Sequence, residues 1–213
     1  MAFDMTAYRT PYMREYRAGH LGEMRQLDRD RYARVRKQAL ALLGGICLGC
    51  GESELEFMTV DHIHDDGAVE RSTKHHRQIF ADIVAGRVLL DRYQPLCRNC
   101  NDSRFIASQH ATSNPQKDRD RATKLELFTL MGGLCSCPPC GIRNHLKLSV
   151  DHVNNDGASR RASEGTGARF YGKILRGELS LTDFQLLCFN CNYSKHLGHG
   201  LCVHERKGCR NGL

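Results

Sequence analysis

Two sets of four cysteines constrain this 213-residue chain more than any other feature. They are Cys47, Cys50, Cys97 and Cys100, and Cys137, Cys140, Cys188 and Cys191. Each set consists of two Cys-x-x-Cys clips separated by nearly fifty residues. One clip alone would suit a redox pair, whereas two clips in matching register supply the four soft ligands of a tetrahedral zinc. Such a staple holds together two stretches of chain that are far apart in sequence. Counting from the Gly132-Gly133 stop aligns Cys135 with Cys47, while counting back from Asp151 aligns Cys137. The tighter clip favours Cys137. The remaining set, Cys202, His204, Cys209, His196 and His199, matches no knuckle spacing; it reads as surface residues, with a third metal site the alternative.

The cysteines sit in an internal repeat. Asp28-Arg29-Asp30-Arg31 recurs as Asp118-Arg119-Asp120-Arg121, and Val60-Asp61-His62 as Val150-Asp151-His152. Further on, Asn99-Cys100-Asn101 recurs as Asn190-Cys191-Asn192, after one inserted residue. Each copy opens on helical periodicity, Tyr32 to Leu43 or Lys124 to Met131, stopped by Gly-Gly. A strand-like run follows, Leu55 to Ile63 or Leu146 to Val153, then an Asp-Gly that suits a hairpin turn. A short amphipathic helix over Ile79 to Val84, or Phe170 to Leu175, precedes the second clip. The expected fold is α+β: two small zinc-stapled modules at 28–107 and 118–200, joined by a linker at 108–117. A basic helical arm at 1–27, holding Tyr8, Arg9, Tyr12, Arg14, Tyr16 and Arg17, precedes them, and a tail at 201–213 follows.

Composition supports this division. There is no tryptophan, and apolar residues come in short runs, so one large core is not expected. Units of roughly 85 residues bury little surface and often need a metal staple. The net charge of +7 suits a polyanionic partner. No stretch approaches the ~18–20 apolar residues of a membrane span, and the amino terminus lacks a signal-peptide core. The expectation is therefore a cytoplasmic protein away from membranes, whose cysteines bind metal in preference to forming disulfides.

A closed four-cysteine zinc has no open position, so chemistry must come from other recurring residues. These are the Asp-His pair and the Asn after the last cysteine, whose oxygens and imidazole suit Mg²⁺ and general-base catalysis. Val60-Asp61-His62-Ile63 followed by Leu96-Cys97-Arg98-Asn99-Cys100-Asn101 resembles the HNH, or ββα-metal, endonucleases. The likeness is to the phage recombination endonuclease VII-like branch, and residues 150–153 with 187–192 repeat it. The resemblance implies a DNA endonuclease encoded by a phage and acting in its bacterial host. Asp61 with Asn101, and Asp151 with Asn192, would hold Mg²⁺ or Mn²⁺. His62 or His64 in the first copy, and His152 in the second, would be the base. Arg104 and Lys195 would touch a phosphate. Endonuclease VII-like enzymes act as dimers, so the two copies imply a monomer working as a pseudo-dimer, or a homodimer. A zinc-dependent nucleic-acid-binding protein with degenerate sites is the alternative.

Overall fold

The computed structural model describes residues 13–16, 18–110, 114–198 and 200–208. Tyr8, Arg9, Tyr12 and Arg17 of the arm, and His199 and Cys209 of the tail, lie outside them. The protein is α+β, with two small antiparallel sheets among helices. Its described residues fall into two compact units, one of residues 1–44 and 62–93, the other of 45–61 and 94–213. No helix among them is long and apolar enough to cross a membrane.

The first unit is helical. Helix α1 (Leu21–Leu42) starts well before the periodic stretch, and only Ala39 and Leu40 near its end are buried. Its early turns carry alternating charges with helical propensity but no apolar stripe, which is why periodicity alone does not find them. Two helices, α2 (Gly67–Thr73) and α3 (His76–Val84), follow the Asp-His pair. Helix α1 packs on α3, which buries Ile79, Phe80 and Ile83. The expected hairpin turn at Asp66-Gly67 is instead the start of α2, with Asp66 at its N-cap. Asp and Gly suit a helix start as readily as a turn. The preceding αL residue, Asp65 at φ 57°, makes the reversal.

Both strand expectations shorten in the same way. A 3-10 turn (Leu55–Phe57) leads into β1 (Met58–His62), and another (His145–Lys147) leads into β3 (Leu148–His152). β1 pairs with β2 (Tyr93–Cys97), and β3 pairs with β4 (Phe184–Cys188) in the register Asp151↔Gln185 and His152↔Phe184. Because β1 ends at His62, His64 sits in the following turn, exposed, and strand alternation does not carry it to the side of His62.

In the second unit, α4 (Arg98–His110) follows β2, and α5 (Pro115–Leu130) is the next described helix. Asn114 caps α5 by accepting from the Lys117 N–H, with Pro115 in its first turn. Within the expected 108–117 linker, the described residues are therefore helical or helix-capping. Helices α6 (Gly157–Glu164) and α7 (Gly167–Leu175) connect β3 to β4, and α8 (Phe189–Leu197) and α9 (Val203–Arg206) close the unit. Leu127, Phe170, Ile174 and Phe184 form one apolar cluster. Another is built largely of sulfur: Cys135, Cys137, Cys188, Cys191 and Cys202 pack with Phe128, Leu148, Leu186 and Leu187.

Equivalent repeat positions meet inside this unit. The Asn99 N–H donates to Asn190 Oδ1 at 2.9 Å, and the Asn190 N–H donates to Asn99 Oδ1 at 3.1 Å. Each amide thus satisfies an orphan N–H in the first turn of the other's helix. A contact in which residue i meets j as j meets i is the geometry of a two-fold interface. The packing of α4 on the 145–147 turn, and of α8 on the 55–57 turn, has the same reciprocity. Asn99→Ala strands one buried N–H and is expected to cost about 1–3 kcal/mol in denaturant unfolding, with Asn190→Ala the same. A double variant whose loss is the full sum of the two would contradict a coupled pair.

Candidate functional site

The second unit gathers the cysteines into sets fit for metal. Cys47, Cys50, Cys97 and Cys100 place their sulfurs within 4.8 Å of one another, with Cys50 Sγ 3.7 Å from both Cys47 Sγ and Cys97 Sγ. Zn–S bonds of ~2.3 Å in a tetrahedron put sulfurs roughly 3.8 Å apart, so the set fits zinc. Burial, with neighbouring Cys47 and Cys50, pushes the Cys97 thiol up to about 11. Binding must therefore displace protons, and it weakens in acid.

The second set corrects the sequence reading. Cys135, not Cys137, joins Cys140, Cys188 and Cys191 within the same 4.8 Å limit. Backbone pairing shows why. The Cys47 N–H bonds Glu52 O and the Leu48 N–H bonds Pro95 O; the Cys135 N–H bonds Ile142 O and the Ser136 N–H bonds Leu186 O. Cys135 thus holds the place of Cys47 on a turn two residues longer. Pro138 and Pro139 lengthen it, because proline and the residue before it resist the tight helical bend of a Cys-x-x-Cys. Cys137 is directed elsewhere and lies 3.4 Å from Cys202 Sγ. Cys202 is 1% exposed, so it is not the surface residue its spacing implied.

The Asp-His pairs are held by matching side chains. In the second copy, Gln185 Nε2 and Lys195 Nζ donate to Asp151 Oδ2 at 2.9 and 2.6 Å. In the first, Gln94 Nε2 and Arg104 Nη1 donate to Asp61 Oδ2 at 2.8 and 2.6 Å. The two cations expected to reach for phosphate are thus turned onto the carboxylates. Lys195 is 4% exposed and also donates to the carbonyls of His152 and Val153, which uses all three of its N–H bonds. Asn192 donates from Nδ2 to Ser149 Oγ at 2.9 Å. Asn101 is half-buried in α4.

Each histidine has an acidic partner that the repeat alignment does not reveal. His62 Nε2 lies 2.6 Å from Glu70 Oε2, and His152 Nε2 lies 2.7 Å from Glu164 Oε2. The position equivalent to Glu70 is Arg160, and the second glutamate lies one helical turn further along, where Arg160 Nε bonds its other oxygen. The exchange is compensated. Arg92 pairs with Asp66 in the first copy, whereas its counterpart Asp183 pairs with Arg160 in the second. Tyr93 OH also bonds Glu70, at 2.8 Å to Oε2; its counterpart is Phe184. Burial pushes the Glu70 carboxyl up, but hydrogen bonds from His62, Tyr93 and Lys74 outweigh it and leave the group below its usual 4.5. A depressed carboxyl stabilises the fold above its unfolded value, and the contribution is lost as pH falls through the folded one. Stability is therefore expected to drop below about pH 4.5, and Glu70→Gln to flatten that limb. Parallel acid titrations of the two proteins would refute this.

Asp151, His152 and Asn192 line a single cleft of about 580 Å³, together with Arg98, Arg161 and His196. The Arg98 guanidinium stacks 4.0 Å above the Tyr193 ring, and its Nε is buried without a hydrogen-bond partner. Gly157 borders the cleft, and a Cβ there would come within 2.5 Å of His152 Nδ1. Only glycine leaves that ring edge uncovered. No protein-family model matches the chain, and neither a curated protein nor a solved structure matches it.

Proposed function

We propose that the chain is a divalent-metal-dependent DNA endonuclease built from two tandem HNH-type ββα modules. The observation that carries this reading is the convergence of Asp151, His152 and Asn192 on one cleft lined by arginine. The Asp151 carboxylate and the Asn192 amide oxygen are the hard donors that would hold Mg²⁺ or Mn²⁺. A bound ion would offset charge gathering on the phosphate and on the leaving oxygen. Glu164 on Nε2 orients the His152 ring, which leaves Nδ1 to take the proton of the attacking water. The unsatisfied Arg98 Nε is a donor suited to a phosphate oxygen. In the first copy, Asp61, Asn101 and His62 would take the same roles, with His64 a second candidate base. The reciprocal Asn99 and Asn190 bonds support a pseudo-dimer in one chain, in which each copy cuts one strand.

Supercoiled plasmid incubated with Mg²⁺ or Mn²⁺, with EDTA as control, tests the reading. Linear product is expected from the native protein. His152→Ala is expected to slow cutting of one strand by about a hundredfold or more and to leave nicked circles. Unbroken plasmid with both ions at low salt would sink the proposal.

A second reading, a zinc-stapled DNA-binding protein without catalysis, is favoured by Lys195, whose ammonium sits on Asp151 where an ion would bind. It predicts plasmid retardation that weakens steeply with salt, and no cleavage.

A further inference from the structure

Cys137, which the knuckle leaves out, meets Cys202 and His204 beside Cys191. The Cys137 and Cys202 sulfurs are 3.4 Å apart, and His204 Nδ1 lies 3.4 Å from Cys137 Sγ and 3.6 Å from Cys191 Sγ. These four ligand atoms also fall within 4.8 Å of one another. A tetrahedral zinc with Zn–S ~2.3 Å and Zn–N ~2.05 Å sets sulfur–nitrogen edges at roughly 3.6 Å, so the set fits zinc as well as the four-cysteine sets do. Cys137, Cys191 and Cys202 are each 4% exposed or less. A buried thiol cluster of this kind needs either protons or a metal to neutralise it.

Cys191 belongs to both this set and the Cys135, Cys140, Cys188 knuckle. We infer that the second copy holds two zinc ions bridged by the Cys191 thiolate, one completed by Cys135, Cys140 and Cys188, the other by Cys137, Cys202 and His204. A thiolate has lone pairs for two metals, and sharing one lets six cysteines and one histidine give both ions four ligands. The first copy has no such partner for its knuckle among the described residues, because Cys47-Leu48-Gly49-Cys50 lacks the extra cysteine.

The second ion would also tie the chain end to the first copy. Cys202 is the N-cap of α9, where the Val203 N–H donates to Ser194 Oγ at 2.8 Å and Ser194 Oγ donates to Glu56 Oε2 at 2.9 Å. Arg206 pairs with Glu56 and Lys207 with Glu54, and the His204 ring packs edge-on against Phe57. Ordering residues 202–207 at the ion would hold all of these contacts in place, whether or not the cleft cuts DNA.

Metal analysis of the full chain, purified under reductant and reconstituted with zinc, is expected to give three ions per chain. Cys202→Ser with His204→Ala should give two. The wild-type protein reloaded with ¹¹³Cd tests the bridge without any variant. Three resonances are expected, two of them split by scalar coupling through the shared sulfur. Two ions in the wild type would overturn the inference. So would three uncoupled resonances, or a mass showing a Cys137 to Cys202 disulfide.

Discussion

Prolonged chelation under reducing conditions is expected to abolish the cooperative thermal transition of the 45–61 and 94–213 unit and most of its far-UV helix signal, both returning with zinc. The reason lies in what this unit uses as a core. Cys188 and Cys191 are fully buried, and Cys135, Cys137 and Cys202 pack around them with the buried Phe128, Leu148, Leu186 and Leu187 and the partly buried Met131, Ile142 and Val150. A two-stranded sheet is at best marginal alone in water, and among the described residues each sheet has two strands. β2 meets the Cys47 turn, and β4 the Cys135 turn, through a backbone hydrogen bond and through the cysteine sets, which a bound zinc would lock. A structural zinc supplies on the order of 10–16 kcal/mol in small knuckles, which is comparable to or above the whole stability of a typical domain. A cooperative melt retained by verified zinc-free protein would show that the apolar packing suffices.

Lys195→Ala is expected to be the most damaging single substitution away from the cysteines. It would leave Asp151 with Gln185 as its remaining donor and would strip a partner from the His152 and Val153 carbonyls. Removing one member of a buried ion pair typically costs about 3–5 kcal/mol. In a chain of this length that lowers the melting temperature by about 10 °C. Asp151→Asn in the same chain should recover part of the loss, since the uncompensated charge is gone. The pair also probes the proposed ion site. Millimolar Mg²⁺ is expected to raise the melting temperature of Lys195→Ala, by taking the place of the ammonium, and to leave the double variant unmoved. Equal shifts in both variants would remove Asp151 from the ion-binding role.

Much of this was legible because it rests on local or periodic signals. The Gly-Gly stops, the α3 and α7 stripes and the Asp-His strands are each set by a few consecutive residues. Helices α2 and α6 were not legible, since they carry no apolar stripe. The glutamates on His62 and His152 escaped for a different reason. They occupy unequal repeat positions and converge only because one helical turn, about 5.4 Å, moves the carboxylate along the same face.

From the sequence alone followed the duplication, the number of knuckles, the reduced state of the cysteines as an expectation, and the residues able to carry chemistry. Ligand identity in the second knuckle did not follow, because spacing measures distance along the chain, whereas a metal site selects donors by distance in space. Pro138 and Pro139 open that turn, so Cys135 reaches the sheet while Cys137 faces the chain end. The contacts of Arg104 and Lys195 were decided in the same way. Charge and position on a helix suit a phosphate, but an aspartate within 2.6 Å takes the cation first. The cysteines announce that metal is needed, and the backbone hydrogen bonds around them decide which sulfurs share it.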